Sequence, residues 1–311
     1  MKFNLFNFVF ISFIAMSFYC CSGSQKHKTI SIGISYQNLQ NEFIINIQDA
    51  ARKKATALGV KLLEADGQGK AENQISQIEN FISLGVDAII LSPFDKEGCA
   101  PAVEKANQAG IPIVVMNSVV SNLDKANAYV GSDDIEAGRI EAEKMSEALH
   151  GKGNLVVLHG AFGHSAELGR SEGIEQALKK YPGIKITYKQ TANWDRAQAL
   201  SVMENILSTR QEINGVIAQN DEMALGAYKA IEAAGKQKEI LVIGVDAIPD
   251  ALRSVKNGQM IATVFQDAIG QGSMAVELAR DLAEKKKVIK TNHIPFQLVT
   301  KENVIDFSTA P

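Results

Sequence analysis

Thr29-Ile-Ser-Ile-Gly-Ile-Ser-Tyr36 is followed, after the polar break Gln37-Asn-Leu-Gln-Asn41, by Glu42-Phe-Ile-Ile-Asn-Ile-Gln-Asp-Ala-Ala51 and then by Val60-Lys-Leu-Leu-Glu-Ala-Asp66. The outer runs are short and rich in apolar residues, as strands are. The middle segment has helical period, and Gly59 stands where a left-handed residue ends a helix. Strand, helix and strand in this order make a right-handed unit of a parallel sheet.

The rhythm continues through the sequence. Strands are predicted at 29–36, 60–66, 88–94, 111–118, 128–132, 154–161, 184–190, 215–221, 241–247, 260–267 and 293–300. Helices are predicted at 41–58, 72–84, 96–109, 134–150, 165–180, 196–208, 222–235, 249–257 and 268–285. Gly85, Gly110 and Gly235 mark helix ends as Gly59 does. Most of the strand runs are apolar on consecutive positions, as expected where both faces of a sheet are covered. The expected class is α/β. A single sheet of so many strands is improbable. A protein of 311 residues has the length of about two domains. No linker-like stretch lies near its middle, so two lobes that exchange strands through short crossings are expected.

Composition narrows the function. Hydrophobic residues make up 46% and charged residues 22%, with a net charge of −3, so no basic excess exists to follow a nucleic-acid backbone. The first twenty residues hold six of the 13 Phe. Lys2 precedes a charge-free stretch to Tyr19, then Cys20-Cys21-Ser-Gly-Ser. A positive start, an apolar middle and small residues read as an export leader over 1–21, with a polar tether over 22–28. The stretch is short for a bilayer span of about 20 residues. Its terminal thiol resembles a bacterial lipoprotein signal, with Cys21, or Cys20, as the lipidated residue. Only Cys99 is then left in the body, too few for a disulfide or a cysteine metal site. The five His are scattered without metal-ligand spacing.

In open α/β folds, ligands bind at the carboxyl ends of the strands. Those ends carry Asn41-Glu-Phe43, Ser92-Pro-Phe94, Asn117-Ser118, Gly160-Ala-Phe-Gly-His-Ser165, Asn193-Trp-Asp195, Gln219-Asn-Asp221, Asp246 and Gln266. A single Asn or Asp there is commonly a helix cap, and Asp221 reads as one. Eight polar ends converging on one side call for more than caps. Amides donate and accept at once, a carboxylate accepts hydroxyl protons, and ring faces cover C–H surface. That chemistry suits a small neutral sugar or polyol. Asp246, at the end of an apolar strand, needs compensation, and Arg170 is the candidate.

Enzyme signatures are missing. No Gly-x-Gly-x-x-Gly follows the first strand and no phosphate-binding Gly-rich loop with Lys occurs, so no cofactor is expected. No nucleophile elbow or His-Glu-x-x-His helix is present. His164 and Ser165 are adjacent and cannot form a Ser–His couple, and His159 reads as a core or edge residue.

Ala218-Gln-Asn-Asp-Glu-Met-Ala-Leu-Gly-Ala227, Val242-Ile-Gly-Val-Asp246, Gln266, Asn41-Glu-Phe43, Ala106-Asn-Gln-Ala-Gly-Ile-Pro112 and Arg170-Ser-Glu-Gly173 resemble the periplasmic ribose-binding protein family, over about 29–304. The resemblance implies two Rossmann-like lobes joined by a three-crossover hinge, the type I periplasmic binding protein fold. Its lobes would be 29–131 plus 266–293 and 132–265 plus 294–311. It implies an exported, non-enzymatic binder that delivers its ligand to the permease subunits of an ABC transporter and in some cases to a chemoreceptor, while the leader, not this resemblance, implies the lipid anchor. The family's ligand contacts fall on Asn41, Phe43, Arg170, Trp194, Asn220, Asp246 and Gln266, with Ser92 and Asn117 at the two positions that depart. The family has Asn before the Pro where Ser92 stands, and Asp-Arg where Asn117-Ser118 stands. Ile44 replaces a second aromatic, and Trp194 a Phe. These departures widen the ligand class from ribose to a polyol, an inositol or another sugar. A repressor of this fold would carry a basic helix-turn-helix ahead of Thr29, where an apolar leader stands instead. An exported carbohydrate enzyme would need a carboxylate pair or a nucleophile set.

Overall fold

The computed structural model describes residues 29–307. The leader 1–21, its Cys20 and Cys21, the tether 22–28 and residues 308–311 lie outside them.

Within the described residues, twelve strands and ten helices follow in the order β1 (Ser31–Tyr36), α1 (Glu42–Leu58), β2 (Lys61–Asp66), α2 (Ala71–Ser83), β3 (Ala88–Leu91), α3 (Ala100–Gln108), β4 (Ile113–Asn117), β5 (Ala128–Gly131), α4 (Asp134–Ala148), β6 (Lys152–His159), α5 (Ser165–Leu178), β7 (Gly183–Thr191), α6 (Arg196–Ser208), β8 (Gly215–Ala218), α7 (Asp221–Ala233), β9 (Leu241–Asp246), α8 (Pro249–Lys256), β10 (Ala262–Phe265), α9 (Ala268–Ala283), β11 (Thr291–His293), β12 (Gln297–Thr300) and α10 (Val304–Phe307). Each of the nine expected helices is present. Gly59, Gly85, Gly110 and Gly235 all have positive φ, between 65° and 70°. Every residue of β3, β4, β5 and β8 is buried, which is why their sequences show no alternation.

The strands form two six-stranded sheets, in the orders β11-β5-β4-β3-β1-β2 and β12-β10-β9-β8-β6-β7. The first sheet is parallel throughout. The second differs from a wholly parallel sheet at one edge, where β12 runs antiparallel to β10. The run expected as one strand at 293–300 is two strands in different sheets, separated by Pro295. Proline has no N–H to continue a ladder, and the backbone passes from one sheet to the other there. It also passes between sheets after β5 and after β10, so three short crossings join the two units.

Candidate ligand-binding site

The carboxyl ends of the two sheets face one cavity of about 470 Å³, measured with its open mouth. Its lining includes Asn41, Phe43, Asn117, Arg170, Trp194, Asn220, Asp246 and Gln266, eight of the nine residues expected from the sequence. Ser92 does not line it. Its side chain is fully buried and its Oγ has no hydrogen-bond partner, while its carbonyl accepts from Gln74 Nε2 at 2.8 Å. The end of β3 places that hydroxyl in the core.

Local structure explains how the rest are held. Asn41 caps α1, its Oδ1 accepting from Phe43 N at 3.0 Å and Ile44 N at 3.4 Å. Asn220 caps α7 in the same way, accepting from Met223 N at 3.0 Å. The cap of α7 is therefore Asn220 and not Asp221. Asp221 is the first helical residue, and its carboxylate accepts from Thr263 Oγ1 at 2.7 Å and Ile248 N at 3.1 Å. Capping and cavity lining are compatible, because a cap uses only the amide oxygen. The Asn41 nitrogen makes no hydrogen bond within the described residues, and neither does the Gln266 nitrogen.

Backbone strain concentrates here. Asn117, Trp194 and Asp246 have φ of 67°, 65° and 125°, and Asn193 and Ala247 beside them are also positive. Such conformations cost about 1–3 kcal/mol each and persist where the surroundings over-determine them. Close approaches add precision. A Cβ on Gly160 would overlap the Trp194 indole, and one on Gly138 of α4 would overlap the backbone of Arg170 on α5.

Arg170 is 3% exposed, and each of its three side-chain nitrogens donates one hydrogen bond, which leaves two N–H groups of the guanidinium for a ligand. Its Nε donates to Asp134 Oδ1 at 3.0 Å, Nη2 to Gln266 Oε1 at 3.1 Å, and Nη1 to the Gln219 carbonyl. Its guanidinium carbon also lies 5.8 Å from the Trp194 ring centroid. The compensation expected from Arg170 reaches Asp246 through charge alone, without a hydrogen bond between them. The Asp246 carboxylate accepts no hydrogen bond within the described residues. Burial holds its pKa well above the usual carboxylate range, the Arg170 charge opposes this, and Asp221 adds to it. Asp221 itself is pushed up to about 7, by burial above all. Behind them Glu141 is fully buried, neither oxygen has a partner, and burial raises its pKa strongly.

Sequence reasoning missed Gln37, Asn38, Phe94 and His164, which also line the cavity. Gln37 and Asn38 directly follow β1, so the strand-end rule that found Asn41 covers them too. Phe94 and His164 lie in strand-end segments that the sequence does single out. Among the described residues no cluster of His, Cys, Asp or Glu could hold a metal ion, and no helix is long and apolar enough to cross a membrane. Cys99 is buried and free.

Two α/β sheets, three crossings and one cavity between strand ends coincide with a family match: residues 32–287 match the periplasmic binding protein domain. The protein belongs to the periplasmic binding protein family. It is 38% identical over 284 residues to a putative rhizopine-binding protein of Rhizobium meliloti, covering 89% of this sequence and 92% of that one. It is 37% identical over 282 residues to the ribose import binding protein of Bacillus subtilis, covering 90% of each. Among solved structures it resembles an ABC transporter solute-binding protein of Bacillus halodurans with bound myo-inositol, at a TM-score of 0.88 and 39% identity, covering 92% of this sequence and 99% of that one. The family is one of solute-binding proteins rather than enzymes, and its periplasmic setting implies export of this protein.

Proposed function

We propose that this periplasmic binding protein receives a small neutral polyol or sugar between its lobes and delivers it to the membrane permease subunits of an ABC importer. One observation carries the reading. The cavity holds a carboxyl group with no hydrogen-bond partner, Asp246, beside amide nitrogens with no acceptor, on Asn41 and Gln266. A hydroxyl is the group that serves both, since it donates one proton and accepts twice. The Phe43 and Trp194 rings supply apolar faces for the C–H groups of such a ligand. The names of relatives support the same class, with ribose, xylitol and myo-inositol among their ligands. Asn117-Ser118 and Ile44 stand where the ribose pattern has Asp-Arg and an aromatic, which favours a polyol such as myo-inositol over ribose.

The contacts assigned to ligand are Asn41, Phe43, Arg170, Trp194, Asn220, Asp246 and Gln266. The lobes divide at 131/132, 265/266 and 293/294. Export ends in lipid attachment at Cys21, or Cys20, a reading that rests on the leader sequence alone. A thermal-shift screen with myo-inositol, xylitol and D-ribose tests the ligand class. A ligand present at 100 times its Kd adds about 2.7 kcal/mol to stability, a readily visible shift. No shift with any polyol or sugar at millimolar concentration overturns the reading.

A further inference from the structure

Three consecutive residues of the turn entering α5 are clamped onto the opposite lobe. The Gly163 carbonyl accepts from Lys96 N at 3.0 Å, and Ser165 Oγ accepts from Val119 N at 2.9 Å. Between them lies His164, which is 4% exposed. Its Nδ1 caps α5 by accepting from Ala166 N at 3.1 Å. That bond places the ring proton on Nε2. Nε2 then donates across the cleft to Gln37 Oε1 at 2.5 Å, with Ser118 Oγ at 3.2 Å. Phe94 from one lobe and Trp194 from the other meet the ring edge-to-face, at 6.0 and 5.1 Å between centroids.

The bond continues inward. Gln37 Nε2 donates to Asn117 Oδ1 at 3.1 Å, Asn117 Nδ2 to Gln271 Oε1 at 3.0 Å, and Gln271 Nε2 to Ser132 Oγ at 3.4 Å. Ser132 immediately follows β5, at the first crossing between the sheets. One relay of amides therefore runs from the cleft-facing ring to the hinge. It also engages both ends of the Asn117 amide, so that residue is tied to Gln37 and Gln271 within its own lobe rather than offering a free group to the ligand.

We propose that His164 is a lobe-closing latch: its neutral ring holds the two sheets together over the ligand, and its protonation releases them. The proposal rests on the interlobe binding of a sugar or polyol argued above. A proton on Nδ1 would face the Ala166 N–H, donor against donor, and break the cap. The ring would also become a buried cation. The charged groups around it are few. Arg170 lies on the same helix and opposes protonation, Asp95 and Lys96 stand in the facing turn of the other lobe, and Asp246 shares the cavity. Burial first, then Arg170, pushes the ring down to about 3. The sign follows from linkage. The closed state binds fewer protons than an open state titrating near the usual 6.5, so closure is favoured above pH 6.5 and weakens as pH falls. Asp246 and Asp221 are shifted upward and titrate in the opposite sense, so a variant is needed to isolate the ring.

Calorimetric titration with myo-inositol, xylitol and D-ribose, from pH 8 to pH 5, on wild type and His164→Gln tests this. Glutamine does not titrate, so the ratio of wild-type to variant Kd reports the ring alone. That ratio is expected to be constant above pH 7 and to rise about tenfold per pH unit below 6.5. A ratio that stays constant to pH 5 overturns the latch. Should His164→Gln fail to fold, His164→Asn, which keeps a capping side chain, takes its place. Should none of the three compounds bind at pH 8, the polyol reading fails on its own, and the latch is judged by thermal unfolding. Wild type should then lose stability relative to the variant below pH 6.5, and parallel pH profiles overturn it.

Discussion

The Arg170 guanidinium is paired with Asp134, whose Oδ1 lies 3.0 Å from its Nε, and not with Asp246, which lines the same cavity. The guanidinium in the cavity wall is thus neutralised from behind, by the first residue of α4. Asp246 is left as a carboxyl group whose hydrogen-bond partners must come from the ligand.

Asp246→Ala should weaken ligand binding by about tenfold to a hundredfold, since it removes a carboxyl group whose one or two ligand hydrogen bonds are worth about 0.5–1.5 kcal/mol each. Asp246→Asn keeps the shape and a hydrogen-bonding amide, and its affinity should fall between wild type and Asp246→Ala. Calorimetry on both folded variants measures this. Wild-type affinity in Asp246→Ala would remove Asp246 from the site and leave it a structural residue at a strained strand end.

Asp134→Ala tests the pairing. Arg170 would become a buried cation without its counter-charge, and breaking a buried pair costs about 3–5 kcal/mol. The partial exposure of Asp134, at 14%, places the expected loss at the lower end, about 3 kcal/mol by urea unfolding. Freed from Asp134, the Arg170 charge would act more strongly on Asp246 and lower its pKa. An unchanged urea midpoint would mean that water already compensates Arg170.

Why these two relationships escape sequence reading is a matter of separation in sequence. The order of strands and helices is legible because most strands declare themselves by consecutive apolar residues, Ala88-Ile-Ile-Leu91 or Ile113-Val-Val-Met116, and several helices by a capping Asn or a terminal glycine such as Gly59. The cavity lining is legible because parallel topology puts every strand end on one side. Nothing local says that Asp134 reaches Arg170, 36 residues later, or that Gln37 meets His164 across 127 residues. The failure at Ser92 has a different cause. The strand-end rule treats every terminal residue as cavity-facing, yet a residue directly at the end of a strand still obeys the pleat. Ser92 falls on the core side, while Phe94, beyond the end of β3, lines the cavity. The split of 293–300 into two strands turns on Pro295, whose presence in the predicted run argues against an unbroken strand.

Gly160→Ala should disturb binding more than a surface substitution of the same size. The added methyl would overlap the Trp194 indole, which Asn193 and Trp194 hold at positive φ with little room to move. Overpacking of this kind costs about 1–3 kcal/mol. Because the displaced ring lines the cavity, ligand affinity should fall about tenfold while the circular dichroism spectrum is unchanged. Stability loss with intact affinity would show that the ring is packing rather than a ligand platform.

Glu141→Gln should stabilise the protein, and more at pH 8 than at pH 4. Glu141 is fully buried on α4, neither oxygen is hydrogen-bonded, and the charges that act on it are Arg170, which favours ionisation, and Asp221 and Asp246, which oppose it. Its folded pKa is raised, so the folded state holds a proton that the unfolded protein releases near pH 4.3. The stability associated with that proton is complete below about pH 4 and declines as pH rises toward the folded pKa. Glutamine is neutral throughout and removes this decline, at the cost of an amide buried without new partners. Thermal unfolding from pH 4 to pH 8 should therefore show wild type falling away from Glu141→Gln as pH rises. The opposite slope, with the variant losing ground above pH 5, would mean that the carboxylate is ionised in the folded protein and held by a partner, and the acidic floor beneath Asp246 would then carry one more negative charge than the geometry assigns it.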